Sequence, residues 1–167
     1  MSLRTYMSSG YARALAAAGL VAACSSDGGG SPAPATTTTA FPADYRASYT
    51  EVRNCRQSNE HDLNRIRVLA DPTAIEPYRK RTSPLPVGAV LLKEEFDTAD
   101  TACSGPVKQL TVMKRLAAGS SPSALDWQWE RVDPSRNVLG KDTPRCIGCH
   151  KGCTPEAGGF EFTCTEP

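Results

Sequence analysis

The sequence predicts an α+β domain, mainly antiparallel sheet with one or two peripheral helices. Two observations carry that prediction. Ile66 and Val68 alternate with Arg65 and Arg67 in NRIRVLA, the period of a half-buried strand. Three further apolar segments, Pro86–Phe96, Leu110–Leu116 and Leu125–Val132, have the length of strands rather than helices. A four-helix bundle fits this alternation badly.

Taken in order, the elements begin with a leader. Arg4 and Arg13 form a basic n-region, and Ala14–Ala23 (ALAAAGLVAA) is an apolar core too short for a stable membrane span. It runs into Val21-Ala22-Ala23-Cys24, which resembles the lipobox of bacterial lipoproteins. Residues 1–23 are therefore expected to be a lipoprotein signal peptide, with Cys24 the lipidated first residue of the mature chain. An ordinary cleaved signal near Ala23, leaving Cys24 free, is the alternative. Residues 24–43 are Ser, Gly, Pro, Ala and Thr with little to bury, and read as a flexible linker. Such a coil reaches roughly 20–25 Å, enough to hold a domain of residues 44–167 near a membrane without embedding it. The expected location is the bacterial cell envelope, lipid-anchored and facing the periplasm. Ser25 after Cys24 favours the outer membrane over the inner.

Charge excludes a default nucleic-acid partner. The chain has 19 basic and 18 acidic side chains, and removing the leader leaves 17 against 18.

Within the domain, Tyr45, Tyr49 and Val52 recur at helical spacing, which predicts a short amphipathic helix over Tyr45–Arg56. Asp71-Pro72 reads as a helix start, Asp as N-cap and Pro at the first helical position, with Pro77 kinking the helix after little more than a turn. Pro86–Phe96 contains a continuous apolar run and predicts a well-buried strand. In LDWQWERV, Trp127 and Trp129 share one face of a strand, where packing is the expected role. Phe160-Glu161-Phe162 is expected to add a short last strand.

The seven cysteines are Cys24, Cys55, Cys103, Cys146, Cys149, Cys153 and Cys164. The stretch Cys146-Ile147-Gly148-Cys149-His150 is a C-x-x-C-H motif, which in an exported chain reads as the attachment site of one covalent haem c. Two thiols three apart add across the two haem vinyl groups, and the adjacent His150 is then placed to bind iron from the proximal side. A thioredoxin-like pair would want a βαβ setting. A zinc site would crowd four ligands into eight residues. A third disulfide would leave His150 without a role. With Cys24 given to lipid and Cys146 and Cys149 to haem, four cysteines remain for two disulfides. Cys153 and Cys164 bracket a Gly-rich turn and form the local pair, which leaves Cys55 with Cys103.

The residues after His150 contain neither Met nor His, so a sixth ligand must come from upstream. Met113 and His61 are the candidates. A lone Met in an apolar run is more often packing, and a lone His beside acids more often lies at the surface. The expected state is an open sixth position for a small diatomic or nitrogen-oxide ligand.

Together these residues resemble the cytochrome P-460 family over roughly residues 45–164. The resemblance runs through D-P-x-A (Asp71, Pro72, Ala74), P-x-G-A-V-x-x-K-E (Pro86, Gly88, Ala89, Val90, Lys93, Glu94), V-M-K (Val112, Met113, Lys114), D-W-x-W (Asp126, Trp127, Trp129), C-I-G-C-H and F-x-F-T (Phe160, Phe162, Thr163). It implies haem c packed against one face of the sheet, His150 as proximal ligand, and often a homodimer. Within that family, cytochrome P-460 oxidises hydroxylamine at a haem cross-linked to a lysine, whereas cytochromes c-prime-beta bind NO and CO in an apolar pocket without the cross-link. Lys80 is a candidate for the cross-link, although a solvated basic run at Arg79-Lys80-Arg81 is the plainer reading; Lys93 is expected to be structural. A hydroxylamine-oxidising enzyme would also need a proton-handling group, for which Glu94, Glu95 and Glu130 are available; exposure is the default expectation for each. A six-coordinate electron carrier with Met113 as ligand, working with a redox partner protein, is the third reading.

Overall fold

The computed structural model describes residues 38–164; the leader, Cys24 and most of the linker lie outside the described residues. Six strands form one antiparallel meander in chain order: β1 (Thr50–Gln57), β2 (Arg65–Ala70), β3 (Val90–Phe96), β4 (Gln109–Arg115), β5 (Trp127–Val132) and β6 (Val138–Lys141). Each strand pairs with its sequence neighbour, so hairpin connections suffice throughout. Three helices lie at the margins: α1 (Tyr45–Ser48), α2 (Ile75–Lys80) and α3 (Pro144–Lys151). No described helix is long and apolar enough to cross a membrane.

Strand register assigns every side chain to a face. One row across the sheet is Ala70, Leu91, Met113 and Trp129; the next is Val68, Lys93, Thr111 and Arg131; a third contains Ile66, Glu95 and Gln109. These rows share one face, because residues two apart along a strand point the same way. At one end this face is covered by α2 and the C-terminal segment, which build a core of Val52, Val68, Ala70, Tyr78, Leu91, Trp127 and Trp129. The other face carries Leu69, Val90, Leu92, Leu110, Val112 and Val132, covered by Ala40, Phe41 and Tyr45. Burial on both faces suits the apolar run Val90-Leu91-Leu92 that opens β3, and it extends to the charged residues that follow, Glu94 and Glu95 being buried as well.

Residues before Tyr45 take part in this packing. Ala40 and Phe41 are buried, and their N–H groups donate to Glu130 at 2.9 and 3.0 Å.

Three expected elements differ. The helix over Tyr45–Arg56 shrinks to one turn, because Tyr49 turns extended and Thr50–Gln57 pairs with β2 as a bulged edge strand, tied by the Cys55–Cys103 disulfide. Ladder hydrogen bonds and the crosslink outweigh a weak helical period there. Asp71 does not start a helix at Pro72. Its carboxylate accepts the N–H groups of Thr73 (2.6 Å), Ala74 (3.2 Å) and Val90, bracing a turn against β3, and α2 begins only at Ile75. Pro77 then falls in the first turn of α2, where an N–H has no intrahelical acceptor, so the expected kink is absent. Phe160–Phe162 is no strand but a tight turn closed by the bridge Phe160–Thr163, with Glu161 and Phe162 in the left-handed region (φ 49° and 64°). Strand β6 went unforeseen: Val138–Lys141 is short, mostly exposed and interrupted by a glycine.

Candidate functional site

Thr143-Pro144 opens α3: Thr143 is extended, and Pro144 supplies the fixed φ of a first helical position. Within the helix Cys146, Cys149 and His150 stand at i, i+3 and i+4, the spacing that sets three side chains on one face. All three line a cavity of about 470 Å³ over the polar part of the sheet face. The other four described cysteines form the pairs Cys55–Cys103 and Cys153–Cys164, so Cys146 and Cys149 are free thiols. Thr143 Oγ1 donates to Cys146 Sγ at 3.0 Å.

His150 is 9 % exposed and held from two sides. Its Nδ1 donates to the Phe162 carbonyl at 2.6 Å, and its ring lies 4.6 Å, centroid to centroid, from Trp129. Burial, with nearby Lys93 and His61 adding to the shift, holds its pKa down to about 4 against the opposing pull of the Phe162 carbonyl. At neutral pH the ring is therefore uncharged, and Nε2 is the lone pair free for a metal.

The wall facing α3 is polar. Lys93 Nζ lies 2.8 Å from His61 Nε2, and His61 Nδ1 lies 2.8 Å from Glu95 Oε1. Asn64 donates to Glu95 Oε2 at 3.1 Å. Loss of water around the amine pushes Lys93 down to about 8, with nearby Arg53 adding to the shift and Glu95 opposing it. Glu95 is 1 % exposed; burial alone would raise its pKa, but the His61, Asn64 and Lys93 contacts hold it below the usual carboxylate value.

The structure thus brings Cys146, Cys149, His150, Met113, His61, Lys93 and Glu95 to one cavity. Met113 packs against the core beside Trp129, its register partner. Lys80 lies elsewhere, exposed and paired with Glu76 at 2.6 Å. Two expectations are corrected. His61 is not a free surface group but half-buried, because the loop between β1 and β2 folds it against Glu95. Nor are the three glutamates exposed: Glu94, Glu95 and Glu130 are 0, 1 and 2 % accessible. Each is matched with donors: Glu94 with Tyr45 and Arg67, Glu95 with His61 and Asn64, Glu130 with backbone N–H groups. Of the three, only Glu95 faces the cavity.

The remaining lining includes Arg53, Arg56 and Arg131. Arg56 Nε is buried without a hydrogen-bond partner among the described residues. A guanidinium left short of acceptors at a cavity edge suits an acidic ligand group such as a haem carboxylate. Sequence reading passed over these arginines, although Arg131 shares the alternation of Trp127 and Trp129.

A neutral imidazole with one free nitrogen, two free thiols beside it and a cationic rim meet the requirements of one prosthetic group, and place the protein in the class of haem cytochromes. Comparison with known families agrees. Residues 42–156 match the model described as Cytochrome P460, and the chain belongs to that family. No curated protein matches the chain.

Proposed function

We propose that the chain is an exported haem c protein that binds a small nitrogen-oxide or diatomic ligand and supports proton-coupled redox chemistry on it. Cys146 and Cys149 would hold one haem through thioethers, and His150 would ligate it through Nε2. When bound, the haem supplies an iron that exchanges electrons and takes a ligand. The observation that carries the reading is the joint placement of both free thiols and an imidazole whose Nδ1 is already committed to the Phe162 carbonyl.

The chain's own residues supply the proton chemistry. Lys93, held near neutral pKa, and His61 share a hydrogen bond, and Glu95 orients His61 from behind. That polar wall favours a ligand that gains or loses protons over an inert gas. A second reading, oxidation of hydroxylamine, rests on the same wall: Lys93, rather than Lys80, is the lysine that lines the cavity and can reach a haem. The leader, lipidation at Cys24 and the periplasm-facing, outer-membrane location belong to this proposal through the sequence pattern. So does a redox partner, or a second copy of the chain.

Anaerobic absorption spectra, ferric and dithionite-reduced, with and without CO, test it. A haem c band that shifts with CO supports an open ligand site. A strongly red-shifted reduced Soret band that survives denaturation supports a lysine cross-link and hydroxylamine chemistry. A six-coordinate spectrum indifferent to CO rejects the open site and leaves electron transfer, with Met113 as the ligand to replace next.

A further inference from the structure

The turn after α3 has a shape that sequence alone does not explain. Glu161 and Phe162 are consecutive residues in the left-handed region, a conformation that side chains bearing a Cβ rarely adopt. Such backbone persists only where its surroundings over-determine it, and here they do. Phe160 and Thr163 exchange backbone hydrogen bonds at 3.1 and 2.8 Å. Trp127 Nε1 donates to the Glu161 carbonyl at 3.1 Å, and Arg115 lies 3.4 Å from the Glu161 carboxylate. The Cys153–Cys164 disulfide then ties the end of the turn to the end of α3, with Cα atoms 4.9 Å apart. Gly159 passes so close to this link that a Cβ there would fall 2.2 Å from the Cys153 carbonyl.

All of these restraints converge on one atom pair. The Phe162 carbonyl oxygen sits 2.6 Å from His150 Nδ1, and Cys164 Sγ lies 3.7 Å from the same nitrogen. Residues 160–164 lie beyond the matched family segment, which ends at 156.

We propose that the Phe160–Thr163 turn and the Cys153–Cys164 disulfide form a clamp that positions the Phe162 carbonyl on His150 and thereby sets the redox poise of the haem iron. This rests on the haem reading above. Phe162 is a positioning residue, acting through its backbone carbonyl. An acceptor on Nδ1–H fixes the tautomer and makes Nε2 a stronger donor. A stronger donor favours the more highly charged ferric iron, so loosening the clamp raises the midpoint potential.

The test compares three variants of the full chain matured with haem: Cys153→Ala/Cys164→Ala, Trp127→Phe and Cys55→Ala/Cys103→Ala. Midpoint potential is read by spectroelectrochemistry, and the iron–histidine stretch of the ferrous form by resonance Raman. Opening the clamp disulfide is expected to change the ferric-to-ferrous preference about tenfold, a rise of about 59 mV for one electron, with a weaker iron–histidine stretch. Trp127→Phe keeps an aromatic ring but removes the donor to Glu161 along with part of the buried indole's packing, so it shifts both signals the same way by less; it decides the matter if the double variant does not fold. Cys55→Ala/Cys103→Ala loses a disulfide that does not touch His150 and should leave both signals in place. Equal shifts in both disulfide variants, or none in the clamp variants, overturn the clamp while the haem assignment stands. Absence of covalent haem from the unaltered chain overturns the haem reading, and the clamp with it.

Discussion

Replacing Glu130 with Gln separates a fold-holding carboxylate from a catalytic one. Glu130 is 2 % exposed on the sheet face away from the cavity. Oε1 accepts the Ala40 N–H at 2.9 Å; Oε2 accepts the Phe41 N–H at 3.0 Å and the Thr39 hydroxyl at 2.7 Å. Lys141 stands 3.4 Å from Oε1. A glutamine offers one acceptor oxygen where the carboxylate offered two, and turns its NH₂ toward one of those N–H groups. One charge-assisted hydrogen bond is lost and one buried donor left unmatched, which costs about 2–4 kcal/mol. The loss cannot greatly exceed that, because full undocking of Phe41 exposes one side chain worth about 1.5–3 kcal/mol. Urea unfolding followed by far-UV circular dichroism at pH 7 and pH 3 measures it. The sign follows from the carboxylate. Burial raises its pKa, but the N–H groups of Ala40 and Phe41, the Thr39 hydroxyl and Lys141 outweigh burial and hold it below its ordinary value. A lowered folded pKa contributes stability that is complete above the unfolded value, about 4.3, and lost as pH falls through the folded value. The difference between parent and variant should therefore be large at pH 7 and shrink toward pH 3. The haem spectrum should not change. A loss under about 1 kcal/mol, or the same loss at both pH values, would refute the reasoning.

Removing the Cys55–Cys103 link as a double alanine variant frees a loop with a sequence separation of 48, which the chain-entropy model values at about 4 kcal/mol; urea midpoints check this, and a fall under about 1 kcal/mol contradicts it. His61→Ala strips Glu95 of its nearest donor, so the lowered Glu95 pKa moves up toward the unfolded value and the acid limb of stability shifts to higher pH; circular dichroism across an acid titration reads the shift. Lys93→Met keeps an unbranched apolar chain one atom shorter and removes the amine. Turnover or ligand affinity above pH 8 against below it should lose its titration near 8, while CO binding persists.

The sheet was legible because β2 to β5 state their faces in the sequence. Ile66 and Val68 alternate with arginines, and Trp127 and Trp129 share a side. The same alternation extends to Lys93 and Glu95 beyond Leu91, and to Thr111 beyond Met113, so the polar wall was encoded but hidden among residues that look like ordinary surface charges. The motif Cys146–His150 and both disulfide pairs could be read from spacing, since these are local or counting arguments. What could not be read depends on long-range partners. Glu130 looks solvated until Thr39–Phe41 folds across it. Arg53 and Arg56 fall within the helix expected over Tyr45–Arg56, and only as residues of strand β1 do they line the cavity beside α3. Phe162 looked like strand because nothing local reveals that Trp127, Arg115 and Cys153 bend that segment into a left-handed turn.

The account stands most directly on whether Cys146 and Cys149 carry haem. Trypsin cleaves after Arg145 and Lys151, so a digest of the mature chain releases both cysteines and His150 in one peptide, Cys146–Lys151. Mass spectrometry is expected to find that peptide heavier by one haem, with neither thiol open to alkylation. The same peptide recovered without haem and alkylated at both cysteines, after expression with a haem-maturation system, would contradict the account.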